Sequence, residues 1–236
     1  MSTIAWLTAR SLFGRRRVWL LVPLPALVIL LAMLAAWVGV SPEYWAGPVI
    51  AGLGLGVVLP VIPLIVGTSV LGSEIDDGTI VHILTKPLPR WQIVMPKLAV
   101  AIGVSVVTVA VPLYAAGVLA DSVRLGVALV VAGVICAVAY SALFVALSLV
   151  TRRPVLLGLL YVLVWEGLLA NFMMGARMLS LKQYAITIAD RLAPTPLLGT
   201  NVEVPLALVM CALIAVGSTV LAIRRLGTFS MAGETS

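Results

Sequence analysis

The sequence predicts an all-α integral membrane protein with six transmembrane helices. Hydrophobic residues make up 62% of the chain, and its mean hydropathy is +1.20. Several apolar runs reach the roughly 20 residues that a helix needs to cross a hydrocarbon core of about 30 Å. The composition excludes an ordinary soluble domain, in which about 45–50% of residues are apolar. Alternating barrel strands are absent, so helices are expected to satisfy the backbone within the bilayer.

The apolar runs divide a single transmembrane domain, 1–236, into six predicted spans. The first is interpreted as a retained span, because its apolar core of about 23 residues exceeds the 7–15 of a cleavable signal peptide. The spans are predicted at 18–40, 48–71, 98–120, 125–150, 155–174 and 204–223.

The distribution of Lys and Arg predicts that both termini are cytoplasmic. With the N-terminus inside, eleven of the fifteen basic residues lie in cytoplasmic segments and four lie outside. Such an excess in the cytoplasmic connectors is typical of membrane proteins. The basic residues sit at the ends of spans and not on one continuous face, so nucleic acid is not an expected partner.

Two further segments are predicted at the membrane surfaces. In 1–17, Thr8, Ser11 and Arg15 fall at helical spacing among apolar residues, which predicts a short amphipathic helix along the inner leaflet. A frayed tail held by attraction between Arg and lipid phosphate is the alternative. The semi-apolar segment 175–203 is expected to form one or two short helices that dip into the outer leaflet or cap the bundle.

The connector 73–97, between the second and third spans, is the most informative part of the chain. It holds six charged residues in a sequence that is only 10% charged. Asp76 and Asp77 lie where a helix could begin, and acidic groups there favour the positive end of its dipole. Pro87 and Pro89 end that helix. The pattern predicts a short amphipathic helix on the cytoplasmic surface, joined at both ends to membrane helices and suited to docking a partner.

The connector carries three short motifs in order: Glu-x-x-x-Gly-Thr, then Leu-Thr-x-Pro, then Arg-Trp followed by a Lys. The residues that form them are Glu74, Gly78, Thr79, Leu84, Thr85, Pro87, Arg90, Trp91 and Lys97. This pattern resembles the connector of the permease subunits of ABC-2 type exporters. The six-span layout and the size also agree, so the resemblance covers essentially the whole chain. Pro96 departs from the family pattern, in which a small residue such as Gly is expected.

The resemblance implies a multi-pass permease of the bacterial cytoplasmic membrane, driven by separate cytoplasmic ABC ATPase subunits that bind ATP and Mg. It also implies pairing with a second copy or a related permease, within membrane lipid. In this family the connector is the coupling helix, seated in a cleft of the ATPase. A solvated acidic loop is the alternative. The residues expected at the ATPase interface are Glu74, Asp76, Asp77, Gly78, Thr79, His82, Leu84, Pro87 and Arg90.

No catalytic motif or bound cofactor is predicted for this chain. A Gly-x-x-x-x-Gly-Lys-Ser/Thr phosphate loop is missing, so ATP hydrolysis is expected in a partner chain. His82 is the single histidine and is expected to be a packing residue. Cys136 and Cys211 lie in apolar runs, where neither a disulfide nor a metal site is expected. An intramembrane lipid-modifying enzyme and a non-transporting scaffold are the alternative functions.

Glu166 is the only acidic residue within a predicted span. It follows Arg153 by about 13 residues, or roughly 20 Å of helix, which places it past the midplane. A charge near the bilayer centre costs about 2.5–3.5 kcal/mol, so the side chain is expected to face the bundle or to be protonated. Its role is open between a substrate contact in the translocation path, a hydrogen bond to 175–203, another structural hydrogen bond and snorkelling toward the outer surface near Asn171, with a structural role preferred. The few charges in the spans suggest a hydrophobic or amphipathic substrate.

Overall fold

A computed structural model describes residues 21–76, 90–151, 153–172, 174–199 and 202–232. Every regular element among these residues is a helix. We number the helices in chain order. They are α1 (Pro23–Val38), α2 (Pro42–Ala46, π-helical Gly47–Val58 and Leu59–Asp76), α3 (Trp91–Ala120), α4 (Val123–Val150), α5 (Pro154–Leu160, π-helical Tyr161–Leu169 and Ala170–Phe172), α6 (Met174–Arg177), α7 (Leu181–Leu192) and α8 (Val204–Ala232).

Four helices in the described part of the chain are long and apolar enough to cross a membrane, namely Pro42–Val70, Trp91–Ala120, Val123–Val150 and Val204–Leu226. Two shorter apolar helices, Pro23–Val38 and Pro154–Leu169, accompany them. The predicted all-helical membrane protein is thus confirmed. The count of six spans and the cytoplasmic termini stay predictions, and the helix predicted at 1–17 lies outside the described residues.

Helix α4 lies at the centre of the bundle and packs against α2, α3, α7 and α8. Small side chains on α4, among them Ala128, Ala132 and Ala139, are fully buried and let the neighbouring helices come close. Large apolar side chains such as Leu163 and Leu213 point outward from the bundle instead. That distribution suits a lipid surround, because lipid tails are as apolar as the side chains they contact.

Helices α3 and α4 form an antiparallel hairpin with a tight turn. Ser122 caps α4 by accepting a hydrogen bond from the Leu125 amide at 3.3 Å. Next to the turn, a Cβ built on Gly117 would lie only 2.7 Å from the Gly126 Cα. Glycine is therefore required at 117, because any larger residue would force the two backbones apart. We call this end of the bundle, marked by Asp121, the hairpin end.

Helix α2 runs antiparallel to α3, so the end of α2 and the start of α3 lie at the opposite, connector end. A Cβ on Gly54, in the first half of α2, would lie 2.9 Å from the Leu113 side chain near the hairpin end. Towards the other end, a Cβ on Gly67 would lie 3.2 Å from the Phe144 Cβ. Helix α3 begins at Trp91, before the predicted span 98–120, and includes Lys97 as a buried residue.

Candidate functional site

Helices α5 and α7 follow one another along the central helix α4. Helix α5 begins at the connector end, where a Cβ on Gly158 would lie 3.2 Å from the Phe144 ring. Helix α7 ends at the hairpin end, where Arg124 Nε donates a hydrogen bond to the Leu192 carbonyl at 3.0 Å. The two helices thus approach α4 at its opposite ends.

The break between α5 and α7 lies close to the middle of α4. The Cys136 thiol donates to the Leu181 carbonyl, at the first residue of α7, with a separation of 3.5 Å. Cys136 is near the centre of Val123–Val150, about 20 Å from either end at 1.5 Å per residue. Helix α7 therefore begins at mid-depth and occupies the hairpin half of the bundle, while α5 occupies the connector half.

Glu166 lies at this break and is only 1% exposed. Its Oε1 accepts hydrogen bonds from the Tyr140 hydroxyl at 2.9 Å, from the Leu181 amide at 3.0 Å and from the Tyr161 hydroxyl at 3.4 Å. Its Oε2 accepts one from the Ser180 hydroxyl. One carboxyl group on α5 thereby contacts α4, α5 itself and the start of α7.

The Glu166 carboxyl group caps helix α7. The first backbone amides of a helix have no partner within it, and they carry the positive end of the helix dipole. Glu166 accepts from one of these amides, on Leu181. Ser180, the N-cap residue, accepts from another, on Gln183, at 3.3 Å. The buried start of α7 is therefore satisfied by one side chain from α5 and one from its own cap.

The tyrosines around Glu166 are held by ring contacts. Tyr140 stacks on Phe144 with ring centroids 5.9 Å apart and an interplanar angle of 9°. Tyr161 meets the same Phe144 ring edge-on at 6.4 Å. The three residues orient two hydroxyl groups toward the carboxyl group. The sequence analysis singled out Glu166 but missed Tyr140, Tyr161 and Ser180. The one feature that could have identified these three residues is that each is polar within an apolar stretch of sequence.

Cys136 and Cys211 are brought together although 75 residues separate them in the chain. Their Sγ atoms lie 3.9 Å apart, and both side chains are buried between α4 and α8. Both are free thiols in this structure. Among the described residues, no group of three or more His, Cys, Asp or Glu side chains could hold a metal ion.

Lys182 follows the capped start of α7 and lies half-buried against α2. A Cβ on Gly56 would lie 3.4 Å from the Lys182 Nζ and 3.5 Å from its Cε. The glycine thus leaves room for the lysine side chain to pass over α2. No hydrogen bond or ion pair joins the Lys182 ammonium to any residue that the structure describes.

The structure describes only the edges of the predicted ATPase interface. The backbone of Glu74 and Asp76 forms the last turn of α2. Arg90 immediately precedes α3 and is half-buried, and its Nη1 has no hydrogen-bond partner within the described ranges. The other predicted residues lie outside the described part of the chain, namely Asp77, Gly78, Thr79, His82, Leu84 and Pro87.

The family resemblance is confirmed by comparison with known families. A family model described as "ABC-2 family transporter protein" matches residues 14–182, more than two thirds of the chain. The chain therefore belongs to the ABC-2 transporter family and is a multi-pass membrane permease of an ABC transporter. Members of this family are generally non-enzymatic transport subunits that associate with ABC ATPases. No curated protein matched the chain.

Proposed function

We propose that this chain is the permease subunit of an ATP-driven ABC-2 exporter in the bacterial cytoplasmic membrane. Separate ATPase subunits supply the energy, and the substrate is hydrophobic or amphipathic. The observation that carries the proposal is the family match together with the charged connector, which follows one long apolar helix and precedes another at the same end of the bundle. A second copy of the chain, or a related permease, completes the translocation path.

The proposed topology has six crossings, of which the fifth is discontinuous. The apolar part of α5, Pro154–Leu169, rises about 24 Å, and the twelve residues of α7 rise about 18 Å. Placed end to end along α4, they exceed the roughly 30 Å of a hydrocarbon core, whereas neither spans it alone. A break of this kind is tolerated at membrane depth where its backbone is buried in protein, and the capping by Glu166 supports that.

The connector is proposed to be the coupling helix that receives force from the ATPase. Helices α2 and α3, which flank it, pack on each other and on α4. A displacement applied between Asp76 and Arg90 would therefore tilt two long helices against the centre of the bundle. The residues that we assign to ATPase docking are Glu74, Asp76, Asp77, Gly78, Thr79, His82, Leu84, Pro87 and Arg90.

Co-purification from native membranes tests the proposal. The tagged permease is expected to retain an ATPase with a phosphate-binding loop, identified by mass spectrometry, and to show no ATP hydrolysis without it. Glu74→Arg and Gly78→Trp are expected to lose that partner, because they reverse a charge and add bulk in the docking segment. Arg191→Gln, an exposed change near the hairpin end, is the matched control. Retention of the ATPase by both connector variants would refute the docking assignment.

A further inference from the structure

Lys182 places a positive charge near the middle of the bundle. Its neighbour Leu181 contacts Cys136 at the midpoint of α4, and its ammonium lies over Gly56 on α2. Gly56 is fourteen residues after Pro42, where α2 begins at the hairpin end, and twenty residues before Asp76 at the connector end. Contacts to two different helices thus agree that Lys182 lies far from both ends of the bundle.

The Glu166 carboxyl group forms no ion pair with this ammonium. Glu166 already accepts hydrogen bonds from Tyr140, Tyr161, Ser180 and the Leu181 amide. Three of these bonds converge on Oε1 and one reaches Oε2, and the carboxyl group acts on the Lys182 ammonium only through space. Within the described ranges, no other acidic or polar group bonds to Lys182.

The surface beside the ammonium is open and made of small residues. Gly52 and Gly56 lie one helical turn apart on α2, and Gly52 is exposed. A Cβ built on Gly52 would have no neighbour within 4 Å except the Gly47 carbonyl of its own helix, at 3.9 Å. A bound group could therefore come close to the α2 backbone next to Lys182.

We propose that Lys182 binds the anionic group of the transported molecule, an amphiphile that carries a phosphate or a carboxylate. This inference rests on the proposed transport function. An ammonium at this depth in a membrane is costly, and intramembrane charges characteristically mark a substrate path. An anionic head would pair with Lys182, and the apolar tail would lie along the outward-facing apolar surface of the bundle.

Photolabelling of the purified permease in phosphatidylcholine nanodiscs tests the proposal. Three photoreactive probes share one C12 chain and differ only in the head group: dodecyl phosphate, dodecanoate and dodecyltrimethylammonium. The measured quantity is the labelling of peptic peptides that cover 175–191. We expect both anions to label this segment about tenfold more than the cation, as a charge-assisted hydrogen bond would give. The stronger anion identifies the source as a phosphate or a carboxylate amphiphile.

Substitutions assign the effect to Lys182. Lys182→Gln is expected to reduce labelling by the anions to the level of the cation, while Lys182→Arg keeps the preference. Arg191→Gln, a basic residue at the exposed far end of the same helix, serves as the control and is expected to behave as wild type. Equal labelling by all three probes, an unchanged Lys182→Gln variant, or an equal loss in Arg191→Gln would each overturn the proposal. If Lys182→Gln does not fold, the comparison of the three probes on the wild-type protein still tests the proposal, because equal labelling by anions and cation would overturn it.

The result of this labelling test can be distinguished from a failure of the proposed transport function. Lys182 lies about 30 Å of helix from the end of α2, since twenty residues separate Gly56 from Asp76. Lys182→Gln is therefore expected to retain the ATPase in co-purification. Loss of anion selectivity with the ATPase retained defines a head-group site, whereas failure to recover any ATPase from wild type contradicts the transport function alone.

Discussion

Glu166→Leu removes a carboxyl group whose partners come from three different helices. The substitution leaves the Tyr140 hydroxyl, the Ser180 hydroxyl and the Leu181 amide without their acceptor in a buried, apolar site. Hydrogen bonds within membrane proteins contribute about 0.6 kcal/mol on average and up to about 1.7 kcal/mol. Counting these three bonds and leaving out the long contact of 3.4 Å from Tyr161, the loss predicts a destabilisation of about 2–5 kcal/mol, concentrated at the junction of α5 and α7.

Glu166→Gln provides a graded comparison. The amide keeps one oxygen, which can still accept from Tyr140 and Leu181, but its nitrogen now meets the Ser180 hydroxyl as a donor. Serine can reorient its hydroxyl hydrogen, so we expect a loss near that of one hydrogen bond, about 0.6–1.7 kcal/mol. The order of stability should be wild type, then Gln, then Leu.

The assay is equilibrium unfolding in mixed micelles of neutral detergent and dodecyl sulfate. Leu168→Ala is the control, because Leu168 is exposed on the outer face of the same helix. Tyr140→Phe combined with Glu166→Gln forms a double-mutant cycle, and the cycle is expected to give a coupling energy of at least about 0.5 kcal/mol. A free energy of unfolding for Glu166→Leu within about 0.5 kcal/mol of wild type would refute the capping role, since that is the range of ordinary surface substitutions.

Two further predictions concern the packing of α4. Oxidation by copper phenanthroline in isolated membranes is expected to join Cys136 to Cys211, because their Sγ atoms already lie 3.9 Å apart, within about 2 Å of the disulfide bond length of about 2.0 Å. Mass spectrometry would detect the linked peptides, and Cys211→Ser is the control. If the two thiols stay unlinked after prolonged oxidation, this packing of α8 on α4 is contradicted. Gly117→Ala is expected to destabilise the hairpin by about 1–3 kcal/mol, because its Cβ would lie 2.7 Å from Gly126. Gly103→Ala on the same helix is the control, because a Cβ at 103 would have no neighbour within 4 Å. If both substitutions lower the free energy of unfolding equally, the close approach of α3 and α4 at Gly117 is disproved.

The fold class and the family could be predicted because both depend on local properties of the chain. Apolar runs of membrane length are visible directly, and the helix Val123–Val150 begins and ends within two residues of the predicted span 125–150. Its limits are marked by Asp121 and Ser122 at one end and by Thr151 at the other, residues that favour turns and caps. The connector pattern from Glu74 to Lys97 identified the family, which the match over 14–182 confirms.

The discontinuity between α5 and α7 could not be predicted, because the composition of a segment does not show how deep in the bundle that segment lies. The run 155–174 is apolar throughout, and the periodicity of α7 indicates only an amphipathic helix. That α7 lies beside α4, and not on the outer surface of the bundle, depends on contacts such as that of Leu181 with Cys136. These contacts join residues 45 positions apart.

The sequence by itself determined that this protein is helical, lies in the membrane and belongs to the ABC-2 family, because hydrophobicity and a short motif are properties of neighbouring residues. Only the tertiary structure decided what surrounds Glu166, which thiols meet and where Lys182 lies. Those relations join residues from separate helices, and packing around α4 brings them together where the sequence shows no link between them.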